Sequence, residues 1–262
     1  MARVRLDQLL VDRGLAPSRA AAQALLLAGE VELGGAGSRT LKPGQLVDDK
    51  APLSVVARRR WASRAGAKLE AALDTFGVDP TALACLDAGA STGGFTDVLL
   101  ARGARIVYAI DVGRGQLLDR LARDPRVISM ERTNLRTLER LPESIDLATL
   151  DLSFISLRLV LPAVRALLGA EGQLIALVKP QFEAGRDAVP RGGVVRDWAT
   201  HRAVLLQFGE DAAGVGFSPV AVISSPIVGA DGNQEFLAVL RPADGPAPGW
   251  SSQVEGLAPS PV

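Results

Sequence analysis

Apolar residues recur at helical spacing at the start of the chain and at strand spacing after it. Leu6, Leu9 and Leu10 form one face of a short helix that Gly14 ends, and Ser18 is a good N-cap for a second helix over 19–28. Short apolar runs between glycine and proline turns then predict strands at 31–33, 45–47 and 53–56. The first 57 residues therefore predict a small unit of two helices and short strands.

Beyond residue 83 the pattern changes to strand-length apolar runs that alternate with helical segments. The predicted strands cover 83–87, 105–110, 127–130, 145–151 and 172–178, and the predicted helices cover 94–102, 114–123, 156–168 and 196–213. This alternation is typical of an α/β fold with a parallel sheet. Two further strands, at 217–224 and 234–240, have no helix between them and predict an antiparallel pair at the end of the sheet.

Composition marks two further segments. Residues 58–64 are rich in arginine and are predicted to link a domain at 1–57 to a domain at 65–241. Residues 242–262 are rich in proline, glycine, alanine and serine, and this composition predicts a disordered tail.

The residue counts exclude several kinds of chemistry. The 262 residues include one cysteine and one histidine, which excludes a disulfide framework and a cysteine- or multi-histidine metal centre, so no metal is expected. No apolar run approaches the roughly 18 residues that cross a bilayer, and the first residues do not resemble a secretory signal. A cytoplasmic protein without a membrane span is therefore expected.

The net charge of zero conceals an uneven distribution. Residues 1–64 contain 11 Lys+Arg and 6 Asp+Glu, whereas residues 65–262 contain 18 and 23. A basic segment ahead of an acidic body indicates two units with different partners. The chain has only four lysines, and a lysine, unlike an arginine, can lose its proton when it is buried. A lysine in an apolar segment is therefore a candidate for chemistry.

A glycine-rich loop follows the first strand of the α/β segment and opens a helix. Glycines let the backbone turn sharply there and approach a ligand closely. Asp111 lies 22 residues after Gly89, at the end of the second strand, where a carboxylate suits two ribose hydroxyls. Asn134 follows the third strand and could either bond an adenine edge or cap a turn. The predicted cofactor-binding residues are Asp87, Gly89, Ser91, Thr92, Gly93, Gly94, Phe95, Asp111 and Asn134.

Two lysines and two acids are predicted to meet at the carboxyl edge of the sheet. Asp151 ends the fourth strand, Lys179 ends the fifth, and Glu235 begins an antiparallel last strand, whose start lies at the same edge. Lys68 precedes the first strand and could join them. Each residue alone could equally be a helix cap or a solvated charge. Together they permit an amine base for the proton of an alcohol, with the acids orienting the lysine.

These residues resemble a known set. Lys68, Asp151, Lys179 and Glu235 are similar to the K-D-K-E tetrad of FtsJ-type ribose 2′-O-methyltransferases, and an acid before the glycines resembles S-adenosylmethionine enzymes more than NAD enzymes. Residues 3–241 resemble the TlyA family of rRNA (cytidine-2′-O)-methyltransferases, which are also called haemolysins. That resemblance implies a small α+β S4 RNA-binding domain ahead of a Rossmann-like methyltransferase domain. It also implies S-adenosylmethionine as cofactor, a cytidine 2′-hydroxyl of ribosomal RNA as substrate, and Lys179 as the base.

The resemblance further implies that the basic N-terminal unit docks on the phosphates of ribosomal subunits. The candidate RNA-binding residues are Arg3, Arg5, Arg13, Arg19, Lys42, Arg58, Arg59 and Arg60. Trp61 is expected to pack between the domains rather than to stack a base. Family members that also modify small-subunit RNA tend to carry a C-terminal helix, so a disordered tail favours restriction to the large subunit, and the small subunit stays open as a further substrate.

Three other functions stay open. A non-catalytic RNA-binding or ribosome-assembly protein would keep this fold, although the complete tetrad argues against it. A membrane-damaging haemolysin would need an apolar segment that the sequence lacks. A pseudouridine synthase could use Asp151 as a nucleophile, but the glycine loop would then have no purpose. His201 is expected at the surface and Cys85 in the core, and neither is assigned a function.

Overall fold

The chain folds into two units that divide between Arg60 and Trp61. The computed structural model describes residues 3–27, 31–34, 41–55, 60–185, 189–229, 232–243, 245 and 248–257. The boundary lies within the predicted linker, and Trp61 packs into the second unit. Its ring covers Gly66, where an added Cβ would lie 2.5 Å from the Cβ of Trp61. Its indole Nε1 donates to Glu70 at 3.1 Å, and its ring is buried in an apolar core of this unit. The expectation that Trp61 packs between the domains stays a prediction.

The first unit consists of two helices and two small antiparallel sheets. Its elements are β1 (Arg3–Arg5), α1 (Leu6–Asp12), α2 (Arg19–Leu27), β2 (Val31–Leu33), β3 (Leu46–Asp48) and β4 (Leu53–Val55). Strand β1 pairs with β3, and β2 pairs with β4. Leu6, Leu9 and Leu10 are buried as predicted, and the Ser18 hydroxyl accepts a hydrogen bond from the Ala21 amide at 3.2 Å. Strand β1 was not predicted, because Arg-Val-Arg has no apolar pattern.

The second unit contains one seven-stranded sheet. Its strands are β5 (Ala84–Ala88), β6 (Ile106–Ile110), β7 (Val127–Met130), β8 (Ile145–Leu150), β9 (Leu168–Val178), β10 (Phe217–Ser224) and β11 (Phe236–Pro242). They lie in the order β10-β11-β9-β8-β5-β6-β7. The five strands from β9 to β7 are parallel, and β11 is antiparallel to both β9 and β10. The predicted α/β fold with an antiparallel final strand is confirmed.

Helices cover both faces of this sheet. They are α3 (Ala65–Phe76), α4 (Gly94–Ala101), α5 (Asp119–Ala122), α6 (Leu161–Leu167), α7 (Pro180–Glu183), α8 (Trp198–Ala213) and α9 (Trp250–Gly256). Leu69 and Leu73 of α3 and Phe95 of α4 pack in one apolar core, with Cys85 of β5. Residues of α6, α8 and α9 pack in the core on the opposite face. The large sheet is therefore buried on both faces, and its strands form a rigid support for residues at its carboxyl edge.

Two predicted helices are shorter in the structure, and each has a local cause. The segment predicted as helix 114–123 is helical only over Asp119–Ala122, because Gly115 adopts a positive φ of 63° that no helix continues through. The segment predicted as helix 156–168 divides into a 3₁₀ turn at Leu157–Leu159 and helix α6. Pro162 stands at the start of α6, where proline is tolerated, rather than inside a longer helix.

The prediction of a disordered tail over 242–262 is wrong for residues 248–257, which include helix α9. Trp250 is buried in the core of the second unit, and its indole Nε1 donates to the Leu205 carbonyl at 3.2 Å. One large aromatic side chain anchors a segment whose composition is otherwise typical of disorder. Restriction to the large subunit was inferred from the expected absence of a C-terminal helix. Because helix α9 is present, that reason no longer applies.

His201 is buried, contrary to the surface position expected from the sequence. Its Nε2 lies 3.0 Å from the Val195 carbonyl, and its ring packs edge-on against Trp198 and Phe236. Burial lowers the pKa of this imidazole.

Candidate functional site

The site lies where the sheet changes direction along the sequence. From β5 the chain proceeds through β6 to β7 on one side, and then returns to place β8 on the other side of β5. A crevice forms at such a switch point, outside the carboxyl ends of the strands, and ligands bind there in open α/β sheets. Asp87 lies near the end of β5 and Asp151 follows β8, so both acids lie at this crevice.

The glycine-rich loop between β5 and α4 is held by two features: a close backbone contact at Gly89 and hydrogen bonds to the buried acid Asp87. Gly89 has a φ of 85°, and a Cβ there would lie 2.4 Å from the Asp151 carbonyl oxygen. Glycine thus lets the loop after β5 touch the loop after β8. The buried carboxylate of Asp87 accepts from the Thr96 amide at 2.8 Å and from the Thr96 hydroxyl at 2.6 Å, which holds the first turn of α4 against the strand.

Asp111 holds the other side of the loop. One of its carboxylate oxygens accepts from the Ser91 amide at 2.8 Å, and the other accepts from the Gly113 amide at 2.7 Å. The Ser91 hydroxyl also donates to Gln116 at 3.2 Å. The carboxylate is therefore fixed at the end of β6 with both oxygens placed, which is the position that a ribose-binding acid occupies in related folds.

A cavity of about 550 Å³ opens at the switch point, within the size range of cofactor sites. Four predicted cofactor residues line it: Gly89, Ser91, Asp111 and Asn134. Asn134 also caps a 3₁₀ turn, because its side chain accepts from the Arg136 amide at 3.1 Å. The lining further includes Ile110, Val112, Thr133, Leu152, Phe154 and Ile155, which were not predicted from the sequence.

The other predicted cofactor residues support the cavity from outside its lining. Phe95 is buried in the apolar core of α3 and α4, and Asp87 is buried beneath the loop. Gly93 has a φ of 97° and contacts Leu117 and Leu121, and Gly94 begins α4 against Ser63. Thr92 accepts from the Leu118 amide through its carbonyl. These residues shape the loop rather than face the cavity.

The four predicted catalytic residues form two ion pairs. Lys179 Nζ lies 2.7 Å from Asp151 Oδ1, and it donates to the Ser153 hydroxyl at 2.9 Å. Lys68 Nζ donates to Glu235 Oε2 in the second pair. Both lysines and Glu235 are buried, and Asp151 is partly buried. Ion pairs withdrawn from water hold their geometry more firmly than exposed pairs, because water competes less for their hydrogen bonds.

Register and one close helix contact bring the two pairs to neighbouring positions. Phe236 of β11 pairs with Val178 of β9, so Glu235 and Lys179 stand side by side at the edge of the sheet. Helix α3 carries Lys68 and begins close to Gly94 of α4, where an added Cβ would lie 3.2 Å from the Gly66 amide nitrogen and 3.3 Å from the Ala65 Cβ. Helix α3 was not predicted from the sequence, and so the position of Lys68 was left open.

A second cavity of about 500 Å³ shares Phe154 and Ile155 with the first. Phe154 has a positive φ of 65° and a side chain that is 91% exposed, and its ring lies 5.1 Å from that of Phe182. Gln181 also lines this cavity, and its Oε1 has no hydrogen-bond partner among the described residues. Phe154 is exposed and Phe182 is partly buried, and two neighbouring aromatic rings of this kind are suited to stacking a nucleobase.

The described candidate RNA-binding residues of the first unit are exposed, and several of them also have protein partners. Arg5 and Arg19 bind Asp7, and Arg13 donates to the carbonyls of Asp49 and Ala51. Exposed side chains are also found at Arg3, Lys42 and Arg60. Arg58 and Arg59 lie outside the described residues.

Within the described part of the chain, histidine, cysteine and acidic side chains do not gather in groups of three that could hold a metal ion. Among the same residues, no helix combines the length and apolar character needed to cross a membrane.

Comparison with known proteins assigns both units. Residues 61–241 match the model of the FtsJ-like methyltransferase family, and residues 4–48 match that of the S4 domain. TlyA of Mycobacterium tuberculosis (strain H37Rv), named a 16S/23S rRNA (cytidine-2′-O)-methyltransferase, is 46% identical over 91% of this chain and 90% of its own length. Hemolysin A of Brachyspira hyodysenteriae is 38% identical over 90% of this chain and 98% of its own.

Solved structures agree with this assignment. A structure described as a hemolysin from Streptococcus thermophilus has a TM-score of 0.74 and 42% identity, and the match covers 97% of this chain and 95% of the other. A more distant S-adenosylmethionine-dependent methyltransferase from Listeria monocytogenes has a TM-score of 0.51 at 19% identity over 70% of this chain and all of its own, which shows a shared fold.

The fold and the switch-point site define the class of protein as an S-adenosylmethionine-dependent methyltransferase with an N-terminal S4 domain. The chain belongs to the FtsJ-like methyltransferase family, and over most of its length it is a relative of TlyA. The family, the class of enzyme and the fold predicted from the sequence are confirmed.

Proposed function

We propose that this methyltransferase transfers a methyl group to the ribose 2′-oxygen of a cytidine in ribosomal RNA. The observation that carries the proposal is the buried contact between Lys179 and Asp151, at 2.7 Å, beside the cavity at the switch point. TlyA, whose name states this reaction, is 46% identical over 91% of the chain. Ribosomal subunits as substrates would place the protein in the cytoplasm.

The residues that line the first cavity fit S-adenosylmethionine. Asp111 offers a fixed carboxylate to the ribose hydroxyls, and Asn134 offers an amide to the adenine edge. Exposed Val112 and Phe154 provide apolar surface at the mouth for a flat ring. When bound, S-adenosylmethionine supplies an electrophilic methyl group on a positively charged sulfur.

The two lysines take different parts in the proposed reaction. Lys179 is the proposed general base for the proton that the 2′-hydroxyl loses as its oxygen becomes bonded to carbon. Asp151 and Ser153 hold Nζ in place from two directions. Lys68, fixed by Glu235, contributes a positive charge that favours the negative charge developing on the 2′-oxygen.

The target base can be accommodated in the second cavity. An enzyme that reaches the ribose of a nucleotide in folded RNA gains access when the base is turned out of its stack, and aromatic side chains then receive it. The rings of Phe154 and Phe182 at 5.1 Å provide such a surface.

Both ribosomal subunits are the proposed substrates. The relative that matches 91% of this chain is named for both 16S and 23S rRNA. TlyA of Campylobacter jejuni, named a 23S rRNA (cytidine-2′-O)-methyltransferase, is 36% identical over 67% of this chain. A single substrate subunit was expected because a C-terminal helix was expected to be absent. Helix α9, with the buried Trp250, is such a helix.

The test is methyl transfer to isolated 30S and 50S subunits from a strain that lacks the gene. With tritiated S-adenosylmethionine, we expect label on a ribose 2′-oxygen of a cytidine in each subunit. Lys179→Ala should lower the rate by about 10² to 10⁴ at saturating subunits, the usual contribution of a general base. Lys50→Ala, which removes an exposed lysine from the first unit, is the matched control and should keep the rate.

Three results would contradict the proposal: label on a base rather than a ribose, full activity in Lys179→Ala, or no transfer to either subunit by protein that binds the cofactor. Label in the 50S subunit alone would retain the reaction and overturn the proposal of two substrates.

A further inference from the structure

A buried carboxylate lies between two exposed arginines in the first unit. The Asp7 side chain is 0% exposed, whereas those of Arg5 and Arg19 are 46% and 51% exposed. Arg5 donates from Nε to Asp7 Oδ1 at 3.0 Å and from a terminal nitrogen to Oδ2 at 2.9 Å. Arg19 Nε and Gln23 Nε2 each donate to Oδ2 at 3.0 Å.

This carboxylate has no role in the site of the second unit, and it is too well paired to change its charge. Its hydrogen bonds with Arg5 hold the pKa of Asp7 far below its usual range, and Gln23 and Arg19 add to this. Its position is fixed by the backbone as well, because the Asp7 amide donates to the Pro43 carbonyl at 3.1 Å. Asp7 is therefore a rigid anion beneath a basic surface.

We infer that Asp7 is a positioning residue that presents the guanidinium groups of Arg5 and Arg19 to the phosphates of an RNA backbone. A guanidinium is planar, so fixing one edge against Asp7 fixes the direction of the donors that remain. Within the described chain, one terminal nitrogen of Arg5 and both of Arg19 have no partner. Holding these donors in place before binding reduces the conformational entropy that an arginine loses when it binds a phosphate.

Two physical effects of Asp7 oppose each other, and this opposition makes the inference testable. Its negative charge weakens the attraction of the arginines for phosphate, so charge alone predicts that removing it tightens RNA binding. Its hydrogen bonds orient the arginines, so positioning predicts that removing it weakens RNA binding. The sign of one measured change decides between them.

The experiment measures binding of the full-length protein to a fluorescein-labelled single-stranded RNA over a series of KCl concentrations. We expect Asp7→Asn to raise Kd about fivefold or more at 0.1 M KCl. The slope of log K against log[KCl] should become shallower by about 0.7 for each phosphate that the variant no longer binds. Asp12→Asn removes the same charge from an exposed site on the same helix, so it should leave Kd unchanged or lower it.

A second variant guards against misfolding of Asp7→Asn. Arg19→Lys keeps the charge and loses the Nε donor that binds Asp7, at a position that is half exposed. Positioning by Asp7 predicts that Arg19→Lys binds RNA nearly as weakly as Arg19→Gln, whereas a purely electrostatic surface predicts binding close to the natural protein. Circular dichroism shows which variants are folded at the temperature of measurement.

Unchanged or tighter RNA binding by folded Asp7→Asn overturns the inference, as does retained binding by Arg19→Lys. The inference rests on the proposed function only in taking RNA as the partner, and the readout is binding rather than methyl transfer. If the natural protein transfers no methyl group but the variants change RNA affinity as expected, the result would therefore count against the catalytic proposal alone. Absence of RNA binding by the natural protein would overturn the role of Asp7.

Discussion

Asp87 is a carboxyl group that the fold buries completely while satisfying only one of its oxygens. Oδ2 accepts two hydrogen bonds from Thr96, and Oδ1 has no partner among the described residues. Burial raises the pKa of Asp87 to about 7, from an ordinary value of 3.8. Between these two pH values the folded protein holds a proton that the unfolded chain has released, so this residue makes stability fall as the pH rises through that interval.

Replacing Asp87 with asparagine should remove this pH dependence, because the amide resembles the protonated carboxyl. We expect Asp87→Asn to raise the unfolding temperature by several degrees at pH 8, where the charged acid costs up to about 4 kcal/mol. The difference should largely disappear near pH 4. Thermal unfolding of the cofactor-free protein at both pH values is the measurement.

Asp79 is the matched control for this prediction. Its exposed carboxylate accepts from the Thr81 amide and hydroxyl, which lowers its pKa. The stability that Asp79 contributes is present above pH 3.8 and is lost as the pH falls below it, so Asp79→Asn should destabilise at pH 8 and not at acidic pH. The same sign of change in both variants would show that burial does not set the behaviour of Asp87.

At the scale of single residues, only part of the candidate site could be predicted from the sequence. Asp151 and Lys179 could be placed at one edge because each follows an apolar strand, and Glu235 joined them through the expected antiparallel strand. The partner of each lysine could not be predicted, because Lys68 and Glu235 are 167 positions apart and a helix that was not predicted carries Lys68. Ser153, the second partner of Lys179, gave no signal of its own.

At the scale of elements, Glu183 at the end of α7 joins the two loops that carry one of the ion pairs. Its carboxylate accepts from the Ser156 hydroxyl at 2.6 Å and from the Leu157 amide at 2.8 Å. At the other end of the same segments, Lys179 binds Asp151. Because these contacts join the two loops at both ends, neither loop can move without breaking a partly buried hydrogen bond.

Glu183→Gln should therefore lower kcat about tenfold and leave KM for S-adenosylmethionine nearly unchanged, because one of two partly buried acceptor oxygens is removed. Ser156→Ala removes one of the same bonds and should reproduce part of the effect. Glu210→Gln, at an exposed position of α8, is the control and should retain full activity. A rise in KM without a change in kcat would mean that Glu183 supports cofactor binding instead of the lysine pair.

Element prediction succeeded where the apolar period was long and failed where one residue decided the outcome. The strands of the large sheet were predicted within a few residues, because buried parallel strands are continuous apolar runs. Pro162 and Gly115 shortened two helices, and the four residues of α7 are too few for periodicity to show. Local exceptions of this kind do not appear in a hydrophobic pattern.

On the scale of the whole molecule, α9 extends the core of the second unit beyond the FtsJ-like match, which ends at residue 241. The ring of Trp250 covers Gly209 of α8, where an added Cβ would lie 2.3 Å from the indole nitrogen. The indole ring fills the space left by the missing glycine side chain, so a glycine and a tryptophan that are distant in sequence specify this contact. The composition of residues 242–262 gives no indication of such a contact.

Trp250→Ala should destabilise the protein by about 3 to 5 kcal/mol, the usual cost of removing a buried tryptophan. For a unit of this size the unfolding temperature should fall by about 6 °C or more, which differential scanning calorimetry measures. Ser251→Ala, on the exposed side of the same helix, is the control. An unfolding temperature that both substitutions leave unchanged would show that α9 adds nothing to the core.

The position of β11 has a consequence for the order in which the enzyme matures during synthesis. This strand leaves the ribosome after every other strand of the sheet, yet it lies between β9 and β10, and it follows directly on Glu235. Until β11 inserts, β10 has no neighbour in the described sheet and Lys68 has no Glu235 to bind. In the proposed reaction, the set of four catalytic residues is therefore complete only after the ribosome has synthesised Glu235 and β11 has joined the sheet.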